Sequence, residues 1–196
     1  MTMSALPKVL LLGDSIRGSY QAIVTEILDG KAEVVGPAEN CQFSLYTLSS
    51  LGRWINKLGE PDIVHWNNGI HDCGHNPLRG PAQFSVDDFR TNVGSILTRL
   101  RELTPKVIWA TITPVHPDRP FVESGWSWHN EEIDPYNVAA RELMEANEVP
   151  INDLHSLVWS DVDQFLSDDQ LHLSDAGKQV CAQAVAESVS KLLSNQ

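Results

Sequence analysis

Two short motifs near opposite ends of the chain contain the residue types needed for nucleophilic catalysis. Gly13-Asp14-Ser15 follows an apolar run, and Asp169 lies three residues before His172. A serine hydroxyl becomes an effective nucleophile when a base accepts its proton, and a histidine base needs a further group that holds its tautomer. The two motifs together therefore predict a serine nucleophile with a histidine base.

The position of Ser15 adds to this prediction. It lies where a predicted strand runs into a predicted helix, so backbone N–H groups at the turn, aided by the helix dipole, can stabilise an oxyanion. Gly-Asp-Ser alone also suits an ordinary helix cap, and Asp-x-x-His alone is common in solvated loops. The second motif stands directly before the last predicted helix, and this pairing favours catalysis over either local interpretation.

Strand and helix patterns alternate along the chain. Gly30 is predicted to end the first helix, a capping box begins at Ser85, and Asp134-Pro135 is predicted to open a helix with proline at its first position. The alternation predicts an α/β protein, a single domain over residues 1–196, with a parallel sheet and helices on both faces. The predicted strands are residues 8–12, 34–35, 63–66, 107–112 and 149–151.

The longest irregular stretches, residues 67–84 and 113–133, both follow predicted strands. The ligand site of an open parallel sheet lies at that end of the strands. The second stretch contains Trp126 and Trp128, which either pack the loop or contact a substrate, for example by stacking on a sugar.

Composition limits the possible partners. The net charge of −12 weighs against binding to nucleic acid or to an anionic membrane. No apolar run approaches the roughly 20 residues that span a bilayer. An odd number of cysteines, no Cys-x-x-Cys motif and no recognisable signal peptide favour a reduced, cytoplasmic setting without a disulfide framework. The sequence leaves the oligomeric state open.

The two motifs and the α/β elements between them resemble the SGNH/GDSL hydrolase family over nearly the whole chain. The resemblance implies a three-layer α/β/α sandwich of flavodoxin-like layout, with five parallel strands in the order 2-1-3-4-5. It also implies ester hydrolysis through an acyl-serine, without a cofactor. Ser15 would be the nucleophile, His172 the base and Asp169 the residue that orients it; Asp168 is adjacent, but the family spacing selects Asp169.

The chain departs from the family pattern at the two other positions that line the oxyanion hole. Cys41 falls at the usual glycine, where its backbone N–H could still donate alongside that of Ser15. Its thiol is a competing candidate nucleophile, but no basic residue lies beside it in the sequence to lower its pKa. His71 replaces the usual asparagine and keeps an N–H donor, with Asn67 and Asn68 as alternative donors.

A metal site is an alternative interpretation of the same region. His71, Asp72, Cys73 and His75 are four potential ligands within five residues. Zinc sites usually draw ligands from two segments or from successive helical turns, and no second cluster with matching spacing occurs. We therefore expect no metal here.

The polar character of the candidate loops favours a short acyl ester as substrate, such as an acetyl group on a carbohydrate or another small molecule. Two alternatives stay open. One is a catalytically weak or inactive carbohydrate-binding member of the same fold, and the other is a thioesterase or lysophospholipase.

Overall fold

A five-stranded parallel sheet organises the computed structural model, which describes residues 5–75, 82–119 and 125–194. The strand order β2-β1-β3-β4-β5 is the one implied by the family resemblance, so that prediction is confirmed. The strands are β1 (Lys8–Leu12), β2 (Glu33–Val35), β3 (Ile63–Trp66), β4 (Val107–Ala110) and β5 (Ile151–Asn152).

Helices connect the strands. Within the described ranges they are α1 (Ser15–Ile27), α2 (Ser44–Leu58), α3 (Ile70–Cys73), α4 (Val86–Leu103), α5 (Asn130–Ala146), α6 (Leu154–Trp159), α7 (Val162–Phe165) and α8 (Asp175–Leu193). None of these helices is both long enough and apolar enough to cross a membrane.

Two apolar cores lie on opposite faces of the sheet. Leu10 and Leu12 pack with side chains of α2, α4 and α5, whereas Val9 and Leu11 pack with side chains of α1, α6 and α8. Successive side chains of a strand point to opposite faces, so β1 contributes to both cores. The result is the predicted three-layer α/β/α sandwich.

The start of α5 differs from the prediction. The helix begins at Asn130, so Pro135 lies inside it rather than at its first position. Asn130 is held by a reciprocal pair of hydrogen bonds with the backbone of Val115, at 3.0 and 2.9 Å. Proline inside a helix removes one backbone hydrogen bond, but this tertiary contact fixes an earlier start than the local sequence indicates.

β4 is also shorter than predicted, ending at Ala110 instead of Ile112. Beyond that point the backbone N–H and C=O of Ile112 pair with the side-chain amide of Asn137, at 2.8 and 3.0 Å. A side chain of α5 thus replaces a neighbouring strand as the partner of this backbone.

The two long connections that follow β3 and β4 meet above the carboxyl edge of the sheet. Backbone hydrogen bonds of 2.9 and 3.3 Å join His75 and Ser127 in a short antiparallel bridge. Parts of the predicted stretches 67–84 and 113–133, namely residues 76–81 and 120–124, lie outside the described residues.

Candidate active site

The turn after β1 presents Ser15 as the first residue of α1. Asp14 caps the helix, since its Oδ1 accepts the backbone N–H of Ile16 at 2.8 Å. Gly13 is required by a close approach, because a Cβ there would lie 2.7 Å from the Cβ of Arg17. Burial raises the pKa of Asp14, although the charges of His71 and Arg17 oppose the rise.

Ser15, His172 and Asp169 form a continuous hydrogen-bonded chain. The Oγ of Ser15 is 2.9 Å from Nε2 of His172, and Nδ1 of His172 is 2.6 Å from Oδ2 of Asp169. When Nδ1 carries the proton donated to the carboxylate, Nε2 is left as an acceptor for the serine proton. The structure thus brings together the nucleophile, base and orienting residue predicted from the sequence.

The Asp169 carboxyl group is held in its ionised form. Burial alone would raise its pKa, but hydrogen bonds from the N–H groups of Leu171 and His172 and from the His172 ring lower the pKa to about 2. The hydroxyl of Ser167 donates to the same carboxyl group at 2.9 Å. An ionised Asp169 can stabilise the imidazolium that forms when His172 takes a proton.

The loop that presents the base is tied at both ends. Ser167 donates its backbone N–H to the carbonyl of His172 at 2.7 Å, and Ser174 caps α8 through Gly177 at 3.1 Å. Gln170, within this loop, has a left-handed backbone with φ of 70°. The base therefore projects from a short, closed turn and not from a freely moving segment.

A cavity of about 340 Å³ opens beside the serine hydroxyl. Its lining combines polar groups with an aromatic wall and apolar side chains. The lining residues are Ser15, Ile16, Asn40, Ile70, His71, Trp126, Trp128, Leu171 and His172.

The backbone N–H of Cys41, which was expected to line the oxyanion hole, has a partner within the protein. It donates to the carbonyl of Gly13 at 3.2 Å and is therefore already engaged. The side chain is fully buried, and burial raises the pKa of the thiol even though the Arg17 guanidinium lies 3.8 Å from Sγ. A buried, protonated thiol is a poor nucleophile.

The alternative donors Asn67 and Asn68 are engaged as well. The amide nitrogen of Asn67 donates to the carbonyls of Ala110 and Thr111. That of Asn68 donates to the carbonyl of Gln42 and to the Thr47 hydroxyl. Both residues stabilise the sheet edge and the neighbouring loops and have no amide hydrogen left for a substrate.

His71 differs from both asparagines. It lines the cavity with Ser15 and His172, and its ring has no hydrogen-bond partner within the described part of the chain. Two residues before His71, the backbone of Gly69 packs closely against the Ile112 side chain. A Cβ at Gly69 would lie 2.2 Å from Cδ1 of Ile112, and the φ of 135° there also favours glycine. His71 is therefore a free donor at the position predicted from the sequence.

Three of the four potential metal ligands after β3 are held by different partners. Asp72 accepts from Ser44, Cys73 contacts the carbonyl of Ile70, and His75 pairs with Glu132. No group of three metal-ligating side chains converges anywhere in residues 5–75, 82–119 and 125–194.

The two tryptophans of the second long connection line the cavity unequally. Their rings stack at 6.0 Å between centroids. Trp128 is 8% exposed and donates its Nε1 to the carbonyl of Ile70 at 2.5 Å, so it serves mainly as packing. Trp126 is half-buried and is the better placed of the two to contact a substrate.

Two residues of the site escaped prediction from the sequence. Arg17 is buried and donates to the carbonyls of Gly13, Pro37 and Glu39, although a single arginine early in a helix usually faces solvent. Asn40 lines the cavity one position before Cys41. Only the amide type of Asn40, beside the altered glycine position, could have drawn attention to it.

The fold is similar to those of several solved esterases. An acetyl xylan esterase named AlAXEase is 21% identical, with 93% of this chain and 99% of that chain covered and a TM-score of 0.76. An acetylxylan esterase from Geobacillus stearothermophilus is 18% identical, with 96% of each chain covered and a TM-score of 0.75. A lipase/acylhydrolase from Enterococcus faecalis is 20% identical, with 94% and 95% covered and a TM-score of 0.73.

A comparison with curated proteins gave no match in sequence. The model of one family, by contrast, matches residues 11–180, a stretch that includes Ser15, Asp169 and His172. The match extends over most of the chain and agrees with the fold of the solved structures. The chain belongs to the GDSL-like lipase/acylhydrolase family.

Proposed function

We propose that this protein is a serine esterase that removes a short acyl group, foremost an acetyl group, from a carbohydrate or similar small alcohol. The observation that carries the proposal is the hydrogen-bonded chain of Ser15, His172 and Asp169 at the mouth of the cavity. Such a chain activates a hydroxyl as a nucleophile.

The first half of the reaction acylates the enzyme. Ser15 Oγ attacks the ester carbonyl carbon while its proton passes to Nε2 of His172, giving a tetrahedral oxyanion. The backbone N–H of Ser15 and the ring N–H of His71 stabilise that oxyanion. The protonated His172 then gives its proton to the departing alcohol oxygen as the carbon–oxygen bond breaks, and an acyl-serine remains.

The second half releases the acyl group. His172 takes a proton from a water molecule, the hydroxide adds to the acyl carbon, and the proton returns to Ser15 Oγ as the carboxylic acid leaves. Asp169 stays ionised throughout, since its pKa of about 2 lies far below neutral pH. No cofactor takes part in any step of this scheme.

The lining of the cavity supports a short, polar substrate. Asn40, His71 and His172 offer polar atoms around Ser15, and Trp126 offers an aromatic wall on which a sugar ring can stack. Two of the similar solved structures are described as acetyl xylan esterases, which agrees with this substrate class. The net charge of −12 favours a neutral ester over an anionic one.

The test compares p-nitrophenyl esters of two to eight carbons with acetylated xylo-oligosaccharides, and labels the protein with a fluorophosphonate. We expect hydrolysis to be fastest for acetyl esters and labelling to occur at Ser15. Ser15→Ala should lose at least about 10³-fold in kcat. Ser19→Ala, one helical turn further along α1, is the matched control and should retain activity.

Four outcomes would each contradict a different part of the proposal. Retained activity in Ser15→Ala would exclude the nucleophile, and labelling at Cys41 would replace it. A rate that keeps rising up to eight carbons would favour a lipase or thioesterase over a short-chain esterase. A wild-type protein that binds acetylated oligosaccharides without hydrolysing any ester would favour a carbohydrate-binding function.

A further inference from the structure

We infer that the side-chain amide of Asn40 is an oxyanion donor, acting beside the Ser15 N–H and His71. The inference rests on the proposed esterase function. It assigns to Asn40 a direct contact with the carbonyl oxygen of the substrate, the role first expected of the Cys41 backbone.

Asn40 lies at the rim of the nucleophile turn. It belongs to the connection between β2 and α2, and it lines the same cavity as Ser15, His71 and His172. The side chain is half-buried, so a donor on it is partly shielded from bulk water. Hydrogen bonds to developing charge are stronger in such an environment than in water.

The orientation of the amide is fixed by a local turn. Oδ1 of Asn40 accepts the backbone N–H of Gln42 at 2.7 Å, and Gln42 has a left-handed backbone with φ of 52°. The oxygen and nitrogen of a planar amide point in different directions, so this bond directs Nδ2 away from the turn. Nδ2 has no hydrogen-bond partner among the residues that the structure describes.

Neighbouring donors of the same loop are engaged. The N–H of Cys41 donates to Gly13, and the N–H of Gln42 donates to Asn40 itself. After β3, the side-chain amides of Asn67 and Asn68 are also engaged. Among the described residues, Asn40 and His71 therefore both line this cavity and keep a side-chain N–H without a hydrogen-bond partner.

The segment around Asn40 is anchored before a substrate arrives. Arg17 donates to the carbonyl of Glu39 at 3.0 Å, and the Glu39 carboxylate accepts from Tyr46 at 2.6 Å and from Trp54 at 2.8 Å. On the other side, Cys41 is bonded to Gly13, two residues before the nucleophile. A preorganised donor of this kind needs no rearrangement when charge develops on the oxygen.

The test uses Asn40→Asp and Asn40→Ala with p-nitrophenyl acetate as substrate. Aspartate keeps an oxygen for the Gln42 N–H, so the turn is retained, but it loses both amide hydrogens and brings a negative charge to the oxyanion. We expect kcat to fall about 10²-fold to 10³-fold in both variants with little change in KM, and Asn40→Asp to keep the wild-type Tm. Asn56→Asp, at an exposed position of α2, controls for the added charge and should leave kcat unchanged.

A purely structural role for Asn40 predicts that the two variants differ in kcat. Asn40→Asp would then keep full kcat, while Asn40→Ala would lower Tm and activity together. That result would overturn the assignment and leave the proposed esterase function intact. Absence of ester hydrolysis in the wild-type protein would overturn both, so the two failures are distinguishable.

Discussion

Asp72 clamps the start of α2 through Ser44. Its two carboxyl oxygens accept the Ser44 backbone N–H at 3.1 and 2.9 Å, and Oδ1 also accepts the Ser44 hydroxyl at 2.5 Å. This contact joins the segment that carries His71 to the end of the loop that carries Asn40. Asp72 is fully buried, and burial raises its pKa to about 7 despite the hydrogen bonds from Ser44.

The raised pKa predicts that Asp72 makes the stability of the fold decrease as the pH rises. Between about pH 4 and pH 7 the folded protein keeps a proton on Asp72 that the unfolded chain releases. The contribution of this proton to the free energy of unfolding is therefore fully present below pH 4 and is lost as the pH rises past 7. Its loss lowers the free energy of unfolding by on the order of 4 kcal/mol. Asp72→Asn should therefore gain stability relative to the wild type as the pH is raised.

Urea unfolding at several pH values measures this difference directly. Asp87→Asn removes the same charge at an exposed position of α4 and separates the effect of burial from that of net charge. Curves for Asp72→Asn and the wild type that stay parallel from pH 4 to pH 8 would show that Asp72 does not titrate in this range.

His71 is predicted to act mainly in the transition state. Charge grows on the carbonyl oxygen only as the tetrahedral intermediate forms, so a donor aimed at that oxygen raises kcat more than it lowers KM. His71→Ala should lose about 10²-fold to 10³-fold in kcat on p-nitrophenyl acetate. His71→Asn should recover part of the loss, because it restores an N–H donor with a shorter reach.

Steady-state kinetics of the two His71 variants decide the point. Full kcat in His71→Ala would exclude it as a donor. The amides of Asn67 and Asn68 are already engaged and could not replace it. The oxyanion would then be stabilised by the Ser15 N–H and by Asn40.

Trp126 and Trp128 are predicted to respond differently to truncation. Trp126→Ala should lower kcat/KM on acetylated oligosaccharides more than on p-nitrophenyl acetate, because we propose that the half-buried ring contacts the leaving group. Trp128→Ala should instead lower stability by about 3 to 5 kcal/mol, the usual cost of truncating a buried tryptophan, and impair both substrates equally.

Trp126→Phe serves as the conservative control, since it keeps an aromatic face at the same position. Thermal denaturation and kinetics on the two substrates separate the outcomes. An equal loss on both substrates in Trp126→Ala, together with a lowered Tm, would show that this indole only packs the loop.

Much of the architecture was predictable because its signals are local. The apolar run of β1, the Ser85 cap of α4 and the Ser174 cap of α8 all depend on residues close together in the chain. The start of α5 was mispredicted for the opposite reason. Asn130 is held by Val115, and no local pattern around Pro135 reveals that contact.

The catalytic candidates Ser15, Asp169 and His172 were identified from sequence alone, since each motif combines a residue type with a short spacing. Tertiary structure decided which polar groups around them are free. The Cys41 N–H donates to Gly13 and the Asn68 amide to Gln42 and Thr47. The side-chain N–H groups of His71 and Asn40, by contrast, have no hydrogen-bond partner among the described residues. Whether a donor is free depends on acceptors up to dozens of residues away, and only folding brings those acceptors within hydrogen-bond distance.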